Sequence, residues 1–374
     1  MRLVIAGGGT GGHLFPGIAV AEALLEIDAG SEVLFVGTER GIEARAVPKA
    51  GFQVRFIEVG GLKNLGLKKR LTTMAQLPTS LLQARRILRE FRADAVVGVG
   101  GYSSGPVLVA ARTLGLPTAI CEQNSVPGLT NRILARLVDR IFVTFDASRS
   151  RFPAGKAELI GNPVRRAFRE AAALPAPAIE SGLVFTFGGS QGARPLNETV
   201  PAALALVRQH GRTVRALHQA GKSDVEGVER AYREGSVAAE VTPFLDDMVS
   251  AYRRAHVVIC RAGATSCAEL TALGVAAILV PVPQAADDHQ TLNARDLANV
   301  GACVLLPQSE LTPERLATEI ERLLDDKQHC DRLRDSARRA GRLEAAETVA
   351  RAALAGFATP KTTASLLPRP GVRA

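Results

Sequence analysis

The chain has 374 residues, 47% of them hydrophobic and 22% charged, which is typical of a soluble globular protein long enough for two domains. Aromatic residues make up 4% of the chain and Trp is absent, which argues against base-stacking surfaces for single-stranded nucleic acid. The five cysteines are scattered without a Cys-x-x-Cys pair, which argues against a disulfide scaffold or a zinc site. The net charge of +9 is compatible with nucleic acid, an anionic membrane surface or a phosphorylated substrate as partner.

Short apolar runs alternate with helix-length segments, a pattern that predicts parallel sheets covered by helices on both faces. In the first half, strands are predicted near residues 3–6, 33–36, 95–99, 118–120 and 140–143. The pattern begins again at residues 183–187 and continues near 214–217, 257–259 and 277–280. Each half opens with a strand, a glycine loop and a helix, the first helix being predicted from about Pro16 to Ile27. No apolar run approaches the roughly 20 residues of a membrane span, and we expect no signal peptide.

The first glycine loop contains Gly-x-Gly-x-x-Gly through Gly7, Gly9 and Gly12, and it ends at His13. Glycines at this place let backbone N–H groups and a helix N-terminus approach an anion. The motif admits a dinucleotide site, with Glu39 near the position of a ribose-binding acid. His13 and a second glycine loop at residues 188–192 argue against that interpretation. The imidazole could bond a neighbouring carbonyl at the helix start, or it could take a proton from a sugar hydroxyl.

Two further segments of the first half place polar groups after predicted strands. Residues 98–106 contain four glycines, two serines and Tyr102, which favours a loop that faces a ligand over a plain turn. Glu122, Gln123 and Asn124 follow the strand near 118–120. Open α/β sheets bind ligands at the carboxyl ends of their strands, although a solvated loop would have a similar composition.

In the second half, residues 260–269 follow a predicted strand and contain Ser266 and Glu269 at the spacing of a capping box. The alternative is a binding site, in which N–H groups of residues 264–266 hold a diphosphate and Glu269 accepts from ribose hydroxyls. The preceding Gly263 favours the binding site, and residues 287–293 offer polar groups to the same cleft. Because the chain has no Asp-x-Asp pair, we expect no metal cofactor, with a stimulatory divalent ion left open. Helix ends and a cation such as Arg165 would then stabilise the diphosphate.

Much of the positive charge lies in residues 63–92, which contain eight basic residues against one acid, Glu90. Leucines recur in this segment at helical spacing. The segment could be a helix that packs its leucines on the core, or an interfacial helix that rests on anionic lipid. Nucleic acid is the least favoured partner, because no known nucleic-acid motif accompanies the charge.

Six of these motifs occur in an order and spacing that resemble the GT-B glycosyltransferases of family 28, which act in bacterial peptidoglycan synthesis. The matching segments are residues 8–13, 100–102, 122–124, 161–165, 188–194 and 263–269. The resemblance implies an α/β GT-B fold of two Rossmann-like domains that face each other across a cleft. It implies an N-terminal acceptor domain over residues 1–162, a C-terminal donor domain over 163–339, and a helix near 340–357 that returns to the first domain. The tail over 358–374 is rich in Pro, Thr and basic residues, a composition that predicts disorder. The sequence departs from the family's His-Glu-Gln-Asn motif at Cys121.

The resemblance implies inverting transfer of N-acetylglucosamine from UDP-GlcNAc to lipid I, giving lipid II for the cell wall that sets cell shape and division. His13 would be the general base, and residues 63–92 would dock the enzyme on the cytoplasmic face of the inner membrane, with no nucleic-acid partner. The implied donor contacts are Thr10, Gly11, Gly12, Asn124, Arg165, Ser190, Leu245, Ala264, Thr265, Ser266, Cys267, Ala268, Glu269 and Gln290, and the acceptor-side candidates are Tyr102, Glu122 and Gln123. The alternatives are a UDP-GlcNAc 2-epimerase, an NAD-dependent oxidoreductase and a basic interaction module without catalysis.

Overall fold

Two parallel β-sheets form the framework of the chain. The computed structural model describes residues 1–59, 67–175, 179–283 and 288–358, with the backbone alone for residues 67–76. Within these residues there are a seven-stranded sheet of order β3-β2-β1-β4-β5-β6-β7 and a six-stranded sheet of order β10-β9-β8-β11-β12-β13. Part of the basic segment predicted to dock on lipid, and all but the first residue of the predicted tail, lie outside the described residues.

The first sheet and its helices come from residues 2–159. The strands are β1 (Arg2–Gly7), β2 (Glu32–Gly37), β3 (Gln53–Phe56), β4 (Ala95–Gly100), β5 (Thr118–Glu122), β6 (Arg140–Val143) and β7 (Ala157–Leu159). The helices are α1 (Gly11–Ile27), α2 (Glu43–Lys49), α3 (Leu67–Phe91), α4 (Ser104–Thr113), α5 (Leu129–Leu134) and α6 (Asp146–Arg149).

The second sheet comes from residues 183–305. Its strands are β8 (Leu183–Phe187), β9 (Arg215–Gln219), β10 (Ala238–Thr242), β11 (Val257–Cys260), β12 (Ala277–Leu279) and β13 (Val304–Leu305). The helices of this part are α7 (Arg166–Ala173), α8 (Arg194–Gln209), α9 (Val225–Glu234), α10 (Met248–Arg254), α11 (Ala264–Leu273), α12 (His289–Asn299), a 3-10 turn (Gln308–Glu310), α13 (Pro313–Asp325) and α14 (Lys327–Ala340).

The last described helix, α15 (Ala345–Leu354), packs on α1 beside the first sheet. Its buried face consists of small residues such as Ala346, Val349 and Ala353, which belong to the same core cluster as Ile18 and Leu24 of α1. Small side chains let the two helices approach closely. The chain therefore passes between the two sheets twice, near residues 160–163 and 341–344.

Each sheet is wound outward from a central strand. β1 lies between β2 and β4, and β8 lies between β9 and β11, so the chain leaves each central strand in opposite directions. Such a topological switch point opens a crevice at the carboxyl ends of the strands. The loop after β1 and the loop after β8 are the two predicted glycine loops, and each lies at such a crevice.

The first helix begins earlier than the sequence predicts. α1 starts at Gly11 rather than near Pro16, so His13 belongs to its first turn. Pro16 lies inside the helix, where its missing N–H leaves the carbonyl four residues earlier, that of Gly12, without a helical partner. In the part of the chain that the structure describes, no helix combines the length and apolar composition of a membrane span.

Candidate active site

The two crevices face each other, and the first is built from backbone packed on backbone. Gly7 pairs with Gly100 where β1 and β4 end, and the Gly8 N–H donates to the Gly100 carbonyl at 3.3 Å. A Cβ on Gly7 would collide with the Gly100 carbonyl, and a Cβ on Gly101 would collide with that of Gly8. Glycine is required at these positions because two loops meet without room for side chains.

His13 lies at this junction with its ring orientation fixed. Its Nδ1 is 3.1 Å from Oε1 of Gln123, whose Nε2 donates to the carbonyls of Val99 and Cys121 at 3.1 and 3.2 Å. Because Oε1 of that amide can only accept, Nδ1 of His13 carries the hydrogen and donates it. In the neutral imidazole, Nε2 is then left with a free lone pair, which is the requirement for a general base.

Glu122 and Gln123 are buried and hold the local structure, so neither presents its side chain to a ligand. The two carboxylate oxygens of Glu122 accept from the backbone N–H groups of Asn124 and Gly128, each at 3.0 Å, and from Nδ2 of Asn131 at 2.8 Å. The carboxylate therefore shapes the loop after β5. The family's imidazole position is filled by the buried Cys121 thiol, and burial raises the pKa of this thiol to about 12.

The carboxylate that reaches the first glycine loop is Glu43. Oε2 of Glu43 accepts from the Gly9 N–H at 2.7 Å, and Oε1 accepts from the Thr38 N–H at 2.8 Å. Glu39, the acid predicted as a ribose ligand, is exposed. The sequence analysis missed Glu43 because it begins α2, one turn beyond the position that the dinucleotide motif indicates.

In the second crevice, the N-terminus of α11 is open. The helix begins at Ala264, and its N-cap residue, Gly263, contributes no side-chain hydrogen bond. The capping box is therefore wrong, because Ser266 lies inside the first turn and Glu269 turns to another partner. The amides of the first turn remain available to an anion, and the helix dipole favours negative charge there.

Glu269 forms an ion pair with Arg165 rather than a cap. Nη2 of Arg165 donates to Oε1 of Glu269 at 3.0 Å, and the Tyr252 hydroxyl donates to Oε2 at 3.4 Å. Burial raises the pKa of Glu269, and Arg165 lowers it in part. The guanidinium also lies over the ring of Phe15, 4.6 Å from its centroid, so this cation contacts both halves of the chain.

The loop after β8 and Leu245 are joined by Gln219, a residue that the sequence analysis missed. Its Nε2 donates to the Gly189 carbonyl at 2.9 Å, and its Oε1 accepts from the Leu245 N–H at 2.9 Å. Gln219 is buried and Ser190 is exposed. The signal available in the sequence was the position of Gln219 at the end of β9, next to the glycine loop.

Asn293 of α12 links the two halves behind the cleft. Its Oδ1 accepts from the Ser125 N–H at 3.0 Å, and its Nδ2 donates to Oδ1 of Asn124 at 3.4 Å. Gln290, one turn earlier, accepts from the Val282 N–H at 3.1 Å and so fixes the loop after β12. The sequence predicts both Asn124 and Gln290 in the donor site. In the structure, Asn124 is bonded to Asn293 of α12, and Gln290 lies on the same helix.

The remaining predicted residues fall into two groups. Thr10 and Gly12 are exposed in the first crevice, Gly11 is half-buried, and Tyr102 is 44% exposed beside them. Ala268 is half-buried. The Cys267 side chain is buried in the hydrophobic core of the second domain, so Cys267 can contact a ligand through its backbone only. Among the described residues, no group of three or more His, Cys, Asp or Glu side chains is placed to hold a metal ion.

Across the cleft, the two helix starts touch. Oγ1 of Thr265, in the first turn of α11, donates to the Gly12 carbonyl in the first turn of α1 at 3.3 Å. The first turn that carries His13 therefore meets the first turn that carries the open amides of α11. A group bound at the α11 N-terminus would lie close to the imidazole.

Two Rossmann-like domains with crevices that face each other in this way define the GT-B class of glycosyltransferases. The structure resembles Acinetobacter baumannii MurG with a TM-score of 0.75 and 33% identity, covering 94% of this chain and 98% of that one. It also resembles a Neisseria meningitidis UDP-GlcNAc 2-epimerase, with a TM-score of 0.69 over 95% of this chain and all of that one. At 12% identity, the second likeness shows the fold alone.

The sequence places the chain within this class. Residues 3–143 match the glycosyltransferase family 28 N-terminal domain, and residues 183–350 match the family 28 C-terminal domain. A Myxococcus xanthus relative named UDP-N-acetylglucosamine--N-acetylmuramyl-(pentapeptide) pyrophosphoryl-undecaprenol N-acetylglucosamine transferase is 47% identical over 94% of this chain and 91% of its own length. A Syntrophus aciditrophicus relative of the same name is 48% identical over 86% of this chain and 89% of its own. The chain belongs to glycosyltransferase family 28.

Proposed function

We propose that this glycosyltransferase transfers N-acetylglucosamine from UDP-GlcNAc to the C4 hydroxyl of lipid I, inverting the anomeric centre and forming lipid II. The observation that carries the proposal is the contact between the first turns of α1 and α11, which brings His13 next to an uncapped helix N-terminus. The relatives named for this transferase span most of the chain and support the choice of donor and acceptor.

In the proposed reaction, the acceptor hydroxyl attacks the anomeric carbon on the face opposite the diphosphate. A bond forms between the acceptor oxygen and C1 of the sugar, and the bond between C1 and the β-phosphate oxygen breaks with its electron pair going to UDP. Nε2 of His13 takes the hydroxyl proton, because Nδ1 is already bonded to Gln123.

On the donor side, the amides of residues 264–266 stabilise the negative charge that develops on the leaving diphosphate. Arg165 is the cation assigned to this group, and its bond to Glu269 of α11 holds it at the domain junction. We propose that these groups, without a metal held by the protein, support departure of UDP. Glu269 remains the candidate for the ribose hydroxyls, because each carboxylate oxygen can accept a hydrogen bond beyond the one from Arg165 or Tyr252.

The test is transfer from labelled UDP-GlcNAc to a lipid I analogue, with the linkage of the product read by NMR. We expect a β-linked disaccharide and one UDP released for each disaccharide formed. Release of UDP with N-acetylmannosamine and no disaccharide would instead indicate the epimerase. Binding of NADH in place of UDP would indicate the oxidoreductase.

We also propose that the enzyme is peripheral, docking on the cytoplasmic face of the inner membrane through the first domain. Large apolar side chains are exposed on α3 and on or just after α5, namely Leu77, Leu82, Leu129, Ile133 and Leu137. Exposed Arg86, Arg89, Arg132 and Arg136 lie among them in the sequence. α4 packs against both α3 and α5, so the two helices that carry these side chains flank the same helix of the first domain. Apolar and cationic side chains together are typical of a surface that rests on anionic lipid.

Vesicle sedimentation tests this docking. The double variant Leu82→Ser/Ile133→Ser is expected to bind phosphatidylglycerol vesicles at least about 10-fold more weakly, because each buried aliphatic side chain contributes roughly 1.5–3 kcal/mol. The matched control is Val300→Ser/Leu354→Ser, which changes two apolar residues that are 59% and 40% exposed elsewhere. Equal binding by both double variants would contradict the assignment of this surface.

A further inference from the structure

A carboxylate is buried directly beneath the first glycine loop. Glu43, the first residue of α2, is 1% exposed. It belongs to none of the motifs that define the proposed reaction. In the described structure, its side chain accepts three hydrogen bonds and forms no ion pair, so its charge is stabilised by N–H and O–H dipoles.

These bonds join two loops. Oε2 accepts from the Gly9 N–H at 2.7 Å, and Oε1 accepts from the N–H and Oγ1 of Thr38 at 2.8 and 3.0 Å. The carboxylate thus connects the loop after β1 to the loop after β2. A hydrogen bond to a charged acceptor is roughly twice as strong as one between neutral groups, so three such bonds hold the two loops together.

Glycines surround the carboxylate on three sides. A Cβ on Gly8, Gly37 or Gly41 would collide with the Glu43 side chain. Neither Gly37 nor Gly41 has a positive φ, so at these two positions backbone conformation does not require glycine. The side chain of Glu43 therefore accounts for the need for glycine there.

The junction leads to His13 through one further contact. The Gly8 N–H donates to the Gly100 carbonyl, and a Cβ on Gly100 would lie 2.7 Å from Nδ1 of His13. The imidazole thus lies against Gly100 while its Nδ1 donates to Gln123. Displacing residues 8 and 9 would shift the first turn of α1, which carries His13. The imidazole would then move relative to Gly100 and Gln123, the two residues that it contacts.

We propose that Glu43 is a positioning residue for the transfer reaction, holding the first glycine loop so that His13 keeps its Nδ1 bonded and its Nε2 directed at the acceptor hydroxyl. This inference rests on the proposed function. It also distinguishes the two crevices, because Glu43 occupies the Gly9 N–H of the first loop, whereas the first-turn amides of α11 are left open to the diphosphate.

The principal test is Glu43→Gln, which keeps the size of the side chain but replaces one acceptor oxygen by an NH2 donor. We expect kcat to fall about 10- to 100-fold, because small displacements of reacting groups have effects of this size, while KM for UDP-GlcNAc changes less than about 2-fold. In a His13→Ala background, the same substitution is expected to cause less than about 2-fold further loss. An equal loss of kcat in both backgrounds would overturn the inference.

The matched control is Glu319→Gln in α13, which also neutralises a carboxylate that is 5% exposed, but in the second domain. We expect Glu319→Gln to leave kcat unchanged, even if it lowers Tm by as much as Glu43→Gln does. If loss of kcat followed Tm alone across both variants, Glu43 would have a structural role only.

A second pair of variants perturbs the carboxylate without altering it. Gly41→Ala places a methyl group against Glu43, whereas Gly227→Ala in α9 meets open space. Gly41→Ala is expected to lower kcat in the same direction as Glu43→Gln, and Gly227→Ala to leave it unchanged. A Gly41→Ala enzyme that is folded, as judged by its Tm, and that has the wild-type kcat would overturn the inference.

One readout is independent of transfer. In 15N-histidine-labelled protein, the Nδ1–H proton of His13, assigned by its absence in His13→Ala, is expected to exchange slowly with water because it is bonded to buried Gln123. Glu43→Gln should accelerate this exchange at least about 10-fold, and Glu319→Gln should not. If the exchange rate is unchanged in Glu43→Gln, the inference is overturned, even if the proposed acceptor is wrong. If the wild-type enzyme does not transfer the sugar, only the proposed function is contradicted.

Discussion

Thr265 donates a hydrogen bond from its hydroxyl to the carbonyl of Gly12, 253 residues away, at 3.3 Å. The Gly12 carbonyl is free to accept because the residue four positions further along α1 is Pro16, which has no N–H. Pro16 in the first domain thus leaves the Gly12 carbonyl free to accept from Thr265 in the second domain. This contact links the first turn of the acceptor-side helix to the first turn of the donor-side helix.

Pro16→Ala should therefore weaken the contact between the two domains by restoring a competing helical donor to Gly12. We expect kcat/KM to fall about 2- to 10-fold, the range of one net hydrogen bond, with no change in the secondary structure of α1. Thr265→Val should cause a similar loss, and the double variant no more than either alone. Steady-state kinetics with UDP-GlcNAc as the varied substrate measures the effect, and a fully additive double variant would contradict it.

His13→Ala should lower kcat by about 10²- to 10⁴-fold, because a positioned general base contributes this much. KM for UDP-GlcNAc should change less than kcat, since most of the assigned donor contacts lie in the other domain. Gln123→Leu, which removes the acceptor that orients Nδ1, should lower kcat in the same direction by a smaller factor. A His13→Ala enzyme with kcat within about 3-fold of the wild type would contradict the assignment of the base.

Gln219→Leu should weaken donor binding, because Gln219 holds both Gly189 and Leu245 in place. Loss of two partly buried hydrogen bonds predicts a Kd for UDP at least about 5-fold higher, measured by calorimetry. Gln209→Leu, an exposed glutamine at the end of α8, is the matched control and should bind UDP as the wild type does. Equal Kd values for the two variants would show that Gln219 does not shape the donor site.

Glu269→Leu should destabilise the protein more than the double variant Arg165→Met/Glu269→Leu. The side chains of Arg165 and Glu269 are 28% and 7% exposed, so removing one partner leaves a largely buried charge unpaired, at a cost of about 3–5 kcal/mol. Chemical denaturation should show stability partly recovered in the double variant, while UDP binding stays weak in both. If Arg165→Met lowered the free energy of unfolding as much in the Glu269→Leu variant as it does in the wild type, this coupling would be contradicted.

Acidification should destabilise the second domain through His218. Burial lowers the pKa of His218 to about 4, and its ring bonds the Tyr232 hydroxyl at 2.8 Å and Oδ1 of Asn197 at 3.1 Å. The unfolded chain, with a histidine pKa near 6.5, binds more protons between about pH 6.5 and 4, so stability falls as the pH falls through that window. The expected loss in the free energy of unfolding is roughly 3 kcal/mol over the whole window, of which roughly 2 kcal/mol is lost by pH 5.

Urea denaturation at pH 7.5 and at pH 5, followed through the transition of the second domain, measures this dependence. His218→Gln, which cannot titrate, should be less stable at pH 7.5 but should lose less on acidification than the wild type. The same pH dependence in both proteins would exclude His218 as the cause.

The sequence by itself determined the central strands and their glycine loops. β1, β4, β5, β8 and β11 are buried on both faces, so each is a continuous apolar run that can be recognised without any partner. The strands that the sequence analysis missed are β3, β7, β10 and β13, and these are the four edges of the two sheets. An edge strand has solvent on one side, so it carries a mixed pattern that resembles a loop.

The motifs also located the crevices correctly, because a strand followed by glycines and a helix is a local pattern. Only the tertiary structure decided which side chains share them. Gln123 bonds His13 across 110 residues, and Arg165 pairs with Glu269 across 104. Glu43 reaches the glycine loop in place of Glu39 because α2 begins there and turns the side chain inward. Such pairings depend on which strand ends become neighbours in a folded sheet, and hydrophobic periodicity carries no information about that choice.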